Sequence, residues 1–311
     1  AKMLFTYLIR GSRTWVVMTL RLVLFTIVLL PGWFQMLRYW LLSPLIIRNL
    51  RYGKGAKNRN LLDVYLPRPK PLAPVVIFVS GGAWTIGYKM WSALVARGLA
   101  KLGILCVVPD HRNFPQGDVQ DMMDDVRLAV QWTVENAHRF GGDADKIVLS
   151  GQSAGAHVTL CLLVADFMKA QRRSKPFNVT PHVKLFIGVS GPYNLVALQS
   201  HFQERGLDAS LLNWICRGDI RKHSPTIRLA EFAEAQNRLA EGPLAELAPI
   251  ALFHGSHDAT IPVSICTELA DVLLEQGASA SCRVYEGWSH TDAILEAPLS
   301  GTTRLFRDIA M

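Results

Sequence analysis

Acidic side chains are missing from the start of this chain. No Asp or Glu occurs before residue 60, where ten Lys and Arg stand. From residue 60 onward, 23 basic and 25 acidic side chains nearly cancel. The formal charge of +8 over 311 residues therefore belongs to one segment. That argues against a nucleic-acid partner and for a membrane surface. Cysteine is sparse: Cys106, Cys161, Cys216, Cys266 and Cys282 are odd in number and contain no C-x-x-C. A disulfide framework does not fit a chain of this size, and a reducing compartment does. His254 and His257 stand three apart with no metal-ligand pattern around them, so no structural zinc is expected. Charged residues make up only 19% and mean hydropathy is +0.19, which excludes a disordered chain. No repeat or low-complexity tract is present.

The basic segment is also hydrophobic. Between Thr14 and Leu37, 17 of 24 residues are apolar and Arg21 is the one charge. As a helix this stretch spans about 36 Å, enough for a bilayer core of roughly 30 Å. Pro31-Gly32 interrupts it, and a second apolar stretch runs from Trp33 to Ile47. Either a single kinked span or a hairpin in one leaflet fits. The interfacial anchors are Trp15, Trp33, Tyr39 and Trp40. Arg48, Arg51, Lys54, Lys57 and Arg59 follow, an excess that places the rest of the chain on the cytosolic side. Residues 1–57 are thus expected to be a membrane anchor and 58–311 a catalytic domain.

After Lys57 strands and helices alternate. Val75–Val79 and Ile104–Val108 are continuous apolar runs, as central strands of a parallel sheet should be. Strands are also expected at Asn60–Leu66, Lys146–Ser150, Val183–Val189, Ile250–His254 and Ser281–Tyr285. The helices expected between and beyond them include Trp91–Leu102, Val119–Arg139, Ala156–Met168 and Val263–Gln276. The alternation predicts an α/β fold, a mostly parallel sheet with helices on both faces. Residues 193–246 break the rhythm with helical composition and are expected to form a cap over the sheet's C-terminal edge.

Gly151-Gln152-Ser153-Ala154-Gly155 is a G-x-S-x-G set between a strand and an apolar helix. That context is a nucleophile elbow, which exposes a serine at the sheet edge with a helix N-terminus behind it. A serine hydroxyl needs a base to attack at neutral pH. Asp258 and His290 each lie just past a strand's C-terminal end, in the chain order Ser, Asp, His. They outrank their neighbours His254, His257 and Asp292. Ser80-Gly81-Gly82-Ala83-Trp84 follows another strand, and the N–H groups of Gly81, Gly82 and Ala154 are candidates for an oxyanion hole.

With these residues in place the chain resembles the isoprenylcysteine α-carbonyl methylesterases, a branch of the hormone-sensitive-lipase-like α/β-hydrolases. The similarity rests on Asp63–Pro67, Gly81–Lys89, Arg112–Gly117, Gly151–His157, His290–Asp292 and the apolar N-terminal segment. It implies an α/β-hydrolase fold and hydrolysis of a methyl ester on a prenylated cysteine at an endomembrane, the endoplasmic reticulum or Golgi. No metal or organic cofactor is implied. Two positions depart from the family pattern: Ser80 stands where a His usually braces the oxyanion loop, and His111 where a Tyr is usual. A weaker brace and a slower rate are expected from the first. Trp84, Leu211, Leu212 and Trp214 are the expected lining for the prenyl chain, with core packing an equal reading for Trp84. A general carboxylesterase, a formamidase-like amidase and a silent binding protein on the same fold are the alternatives.

Overall fold

The computed structural model describes Leu24 and residues 30–53, 59–67, 72–170, 177–205, 208–236, 242–299 and 304–310. The chain divides into two compact units between Ser43 and Pro44.

In the first unit residues 30–42 are helical. Pro31 and Gly32 are helical residues of that stretch. Leu30, Phe34, Leu37 and Leu41, at helical spacing, are exposed. Most of the expected span from Thr14 to Leu37 lies outside the described residues. Among the described residues no helix is long and apolar enough to cross a membrane.

The second unit holds one eight-stranded sheet in the order β1-β2-β4-β3-β5-β6-β7-β8. Its strands are β1 (Ile46–Arg51), β2 (Leu61–Tyr65), β3 (Ala73–Val79), β4 (Leu105–Pro109), β5 (Gly142–Gln152), β6 (Val183–Val189), β7 (Ile250–Gly255) and β8 (Ala280–Tyr285). β2 pairs antiparallel with β1 and β4, and all other pairs are parallel. β1 corrects the expected domain boundary. Residues 46–51 are not a basic tail behind an anchor. Ile46 pairs with Tyr65 and Arg51 with Leu61, so the sheet begins well before residue 58. A strand at the sheet's edge tolerates Arg48 and Arg51 because one of its sides faces water.

Among the described residues, five helices follow the strands: α1 (Ala93–Lys101), α2 (Val119–Asn136), α3 (Ala154–Ala170), and, after the cap, α7 (Val263–Glu275) and α9 (Arg304–Ala310). The cap holds α4 (Leu195–Glu204), α5 (Ser210–Ile215) and α6 (Pro225–Gln236), and α8 (Glu296–Leu299) is a short turn before α9. Local signals set the boundaries. Asp118 and Asp121 form a reciprocal capping box at the start of α2. The chain leaves the short 3₁₀ turn after α2 at Gly141, with φ of 77°.

Central strands are buried on both faces, so successive residues enter different cores. Phe186 and Leu252 pack into one cluster, and Ile187 and Phe253 into the other. The cap is only partly a lid. Arg205, just past the end of α4, donates to the Ala259 carbonyl at the sheet edge. α6 instead lies along α3, where Phe167 and Phe232 meet edge to face at 5.8 Å. A cavity of about 600 Å³ opens there, lined by Met123, Cys161, Met168, Arg228 and Phe232 among others. None of Ser153, Asp258 and His290 borders it.

Candidate active site

Ser153 follows the last residue of β5 and precedes α3. Its φ is +53°, a left-handed value that a non-glycine residue adopts only when the surroundings enforce it. The neighbouring glycines allow the turn. A Cβ on Gly155 would stand 2.2 Å from the Val79 carbonyl oxygen, and one on Gly151 would stand 2.6 Å from the Ala156 nitrogen. The sharp turn lifts the serine side chain off the sheet.

His290 Nε2 lies 2.9 Å from Ser153 Oγ, and His290 Nδ1 lies 2.7 Å from Asp258 Oδ2. A carboxylate only accepts, so Nδ1 carries the proton and Nε2 is free to accept from the serine. Three loops at one end of the parallel strands thus converge, 105 and 32 residues apart in sequence. The Asp258 side chain is fully buried. Burial opposes its ionisation, but donors from His254, His290 and the Ile261 amide outweigh that and hold the carboxyl well below the usual range. Oδ1 accepts from the amides of Thr260 and Ile261 at 2.9 Å each.

His254 is a partner the sequence did not reveal. Its Nε2 lies 3.3 Å from Asp258 Oδ2 and 2.9 Å from the Ile261 carbonyl. His254 and Asp258 stand four positions apart, and only the fold of the turn after β7 shows that they touch. His257 is exposed. Asp292 accepts from the Ser289 amide at 2.6 Å and shapes the turn that presents His290. Gln152 Nε2 donates to the His290 carbonyl at 3.4 Å.

Gly81 lies directly against Ser153. A Cβ there would stand 2.3 Å from Gln152 Oε1 and 2.9 Å from Ser153 Cβ. Gly82 has φ of +132°, and a Cβ on it would stand 2.5 Å from the Gly87 nitrogen. The Gly81–Gly82 strand of the loop is thus packed against Gly87. Two side chains hold Gly87 in turn: Arg59 and Asn113 both donate to its carbonyl, at 2.6 and 2.8 Å. Arg112 is itself clamped by Asp125 through two bonds, of 2.8 and 2.9 Å, and by Asp121. That arrangement gives the Arg112–Gly117 segment a physical job, bracing the loop.

The two departures noted in the sequence find each other here. Ser80 Oγ is buried 2.6 Å from Ser92 Oγ. The buried His111 ring bonds the Arg112 carbonyl through Nδ1 at 2.7 Å, with the Ser80 main chain beside it. Burial lowers the His111 pKa, which keeps the ring neutral. The loop is therefore not left without a brace at residue 80.

The expected prenyl lining needs correction. Trp84 is only 4% exposed and its indole is bonded to His157, so it is core. Leu212 is buried in the same core, and Leu211 packs against it. A large apolar side chain points inward when its backbone lies over a core, whatever its sequence neighbours do. Trp214 alone of the four is half exposed, and it stacks on Phe114 at 6.5 Å. Phe114 was not singled out by sequence. Its amide donates to the Trp84 carbonyl at 2.8 Å, which ties it to the glycine loop. Among the described residues, no three His, Cys, Asp or Glu side chains gather as a metal would require.

The family model BD-FAE matches residues 62–273. A probable isoprenylcysteine α-carbonyl methylesterase of Oryza sativa subsp. japonica is 39% identical over 311 residues, 99% of this chain and 73% of that protein. The isoprenylcysteine α-carbonyl methylesterase of Arabidopsis thaliana is 38% identical over 310 residues, 98% of this chain and 70% of that one. Among solved structures, esterase B from Lactobacillus rhamnosis superposes with a TM-score of 0.69 at 16% identity, over 92% of this chain and 94% of that one. The fold is that of an α/β-hydrolase.

Proposed function

Since the chain belongs to the family of isoprenylcysteine α-carbonyl methylesterases, we propose that it is a serine carboxylesterase acting on methyl esters of prenylated cysteine at an endomembrane, its catalytic unit facing the cytosol. The observation that carries the reading is the hydrogen-bonded line from Ser153 through His290 to buried Asp258. Such a line turns a hydroxyl into a nucleophile.

Ser153 Oγ attacks the ester carbonyl while His290 Nε2 takes its proton. The Asp258 carboxylate, held ionised, stabilises the imidazolium without itself taking the proton. The carbonyl oxygen gains negative charge and is met by the N–H groups of Gly81, Gly82 and Ala154. Collapse returns the proton from His290 to the leaving oxygen, and methanol departs. Water then attacks the acyl-enzyme by the same route, which releases the carboxylate and restores Ser153.

Two features support the membrane part of the reading. The first 59 residues carry ten cations and no acid. The helical residues 30–42 expose Leu30, Phe34, Leu37 and Leu41, an apolar stripe suited to the headgroup boundary. A prenylated substrate would share that surface.

The test uses the purified full chain. A fluorophosphonate probe should label it, and Ser153→Ala should abolish labelling. Offered prenylcysteine methyl ester against short p-nitrophenyl esters, it should prefer the former in kcat/KM. Absent labelling would point to a silent hydrolase fold. Labelling with a preference for short esters would point to a general carboxylesterase.

A further inference from the structure

Beyond the hydrolytic site, Cys266 and Cys282 face one another with their sulfurs 3.3 Å apart. Cys266 is buried on α7. Cys282 is half buried on β8, where it pairs with Leu252 of β7. Neither takes part in ester hydrolysis. We propose that these two thiols are a reversible disulfide site that clamps the edge strand β8 to α7, with glutathione disulfide as the oxidant class.

Geometry favours the bond. The sulfurs need close by only about 1.2 Å to reach a disulfide, a movement that side-chain rotation can supply. The two elements also matter to the site. α7 starts at Val263, soon after Asp258, and β8 ends at Tyr285, shortly before His290. A clamp between them ties together the two elements whose loops carry the acid and the base. β8 is the last strand of the sheet, paired on one side only, so it has the most to gain from a tether.

The order of events follows from access and acidity. Cys282 is the more exposed of the pair. Its hydrogen bond with Cys266 outweighs burial and lowers its pKa, with nearby His254 adding to the effect. That same bond and burial push the Cys266 thiol well up. The Cys282 thiolate therefore attacks one sulfur of glutathione disulfide, breaks its S–S bond and releases one glutathione thiolate. Cys266 then gives up its proton and attacks the Cys282 sulfur of the mixed disulfide. The second glutathione leaves as its thiolate. Two protein thiols are oxidised, one glutathione disulfide becomes two glutathiones, and the two protons released from the protein go to them. The remaining cysteines, Cys106, Cys161 and Cys216, are buried.

The experiment equilibrates the full chain in glutathione buffers with a rising oxidised share. Free thiols are then alkylated in denaturant and the digest is mapped by mass spectrometry. A peptide pair linked through Cys266 and Cys282 should appear, and dithiothreitol should remove it. The oxidised protein should melt higher by on the order of 5 °C. Cys266→Ser and Cys282→Ser should show neither change. Cys266 and Cys282 both found alkylated in a folded sample from the oxidised buffer would overturn the site, as would glutathione retained on Cys282 alone. A linked pair with an unchanged melting temperature would overturn the clamp. The mapping of the unmutated chain decides the matter even if a variant fails to fold.

Discussion

The indole N–H of Trp84 donates to Nδ1 of His157 over 3.1 Å. The other nitrogen of that ring lies 2.6 Å from the His223 carbonyl and carries the proton. One buried imidazole therefore joins three parts of the site: the glycine loop, the first turn of α3 behind Ser153, and the cap. The arrangement works only while His157 is neutral, because a protonated Nδ1 could no longer accept.

Burial, partly offset by the bond to His223, lowers the His157 pKa to about 4 from 6.5. Between those values the unfolded chain binds a proton that the native state does not. Stability therefore falls as pH drops through 6.5 toward 4, and this cost is absent above 6.5. The loss should reach about 3 kcal/mol at most. Urea denaturation at pH 7, 5.5 and 4.5 checks it, and His157→Gln should flatten the curve. An unchanged slope in that variant would refute the assignment.

Trp84 and Trp214 should separate cleanly. Trp84→Ala empties a core position and should cost about 3–5 kcal/mol of stability, with the acyl preference of the surviving enzyme unchanged. Trp214→Ala should leave the melting temperature nearly alone. It should raise KM for a farnesyl ester by on the order of tenfold, about 1.4 kcal/mol, and leave short esters untouched. Thermal melts and paired kinetics read both effects.

Ser153→Ala and His290→Ala should each lower turnover by on the order of 10⁴-fold or more, since the three groups act as a unit. Asp258→Asn should cost somewhat less. Asp292→Asn should cost far less than any of these, because its carboxylate meets the Ser289 amide and not the imidazole. Loss of activity in Asp292→Asn together with an active Asp258→Asn would reverse the acid assignment.

Ser80→His would restore the residue usual in the family, yet it should not raise turnover. The space beside residue 80 is already taken by Ser92 and His111. A melt should instead show lost stability. Ser80→Ala should cost about 1–3 kcal/mol by leaving the buried Ser92 hydroxyl without its partner. A gain in kcat for Ser80→His would mean that the loop is slack.

Deleting residues 1–43 should leave hydrolysis of a water-soluble ester intact and depress that of a vesicle-bound prenylcysteine ester. Deleting residues 1–57 also removes β1 and bares the edge of β2, so the melting temperature should fall. Equal kinetic loss on both esters after the shorter deletion would mean that the segment belongs to the fold.

Much of the frame was legible in the chain. Val75–Val79 is a run of β-branched and aromatic residues with no polar break, which only a strand covered on both faces accommodates. Gly151–Gly155 between a strand and an apolar helix marked the elbow because few residue types survive that turn. Ser153, Asp258 and His290 were found by their places after strands, and the fold brings those places to one edge.

Other features follow no local pattern. Neither the pairing of His254 with Asp258 nor that of Ser80 with Ser92 leaves a mark in composition or periodicity. The same is true of Cys266 beside Cys282, since each depends on how two distant or sharply turned segments pack. The first strand was hidden by its own edge position, where Arg48 and Arg51 read as a basic tail. Trp84 was ambiguous because a Trp beside a catalytic loop satisfies either reading until its neighbours are known. By itself, then, the sequence determined which residues are chemically capable and the order in which they hang from the strands. Those properties are set by side-chain type and by hydrophobic runs a few residues long. Tertiary structure alone decided which of those groups touch, which are dry, and which large side chains face inward, because burial and hydrogen bonding are relations between segments and not properties of any one of them.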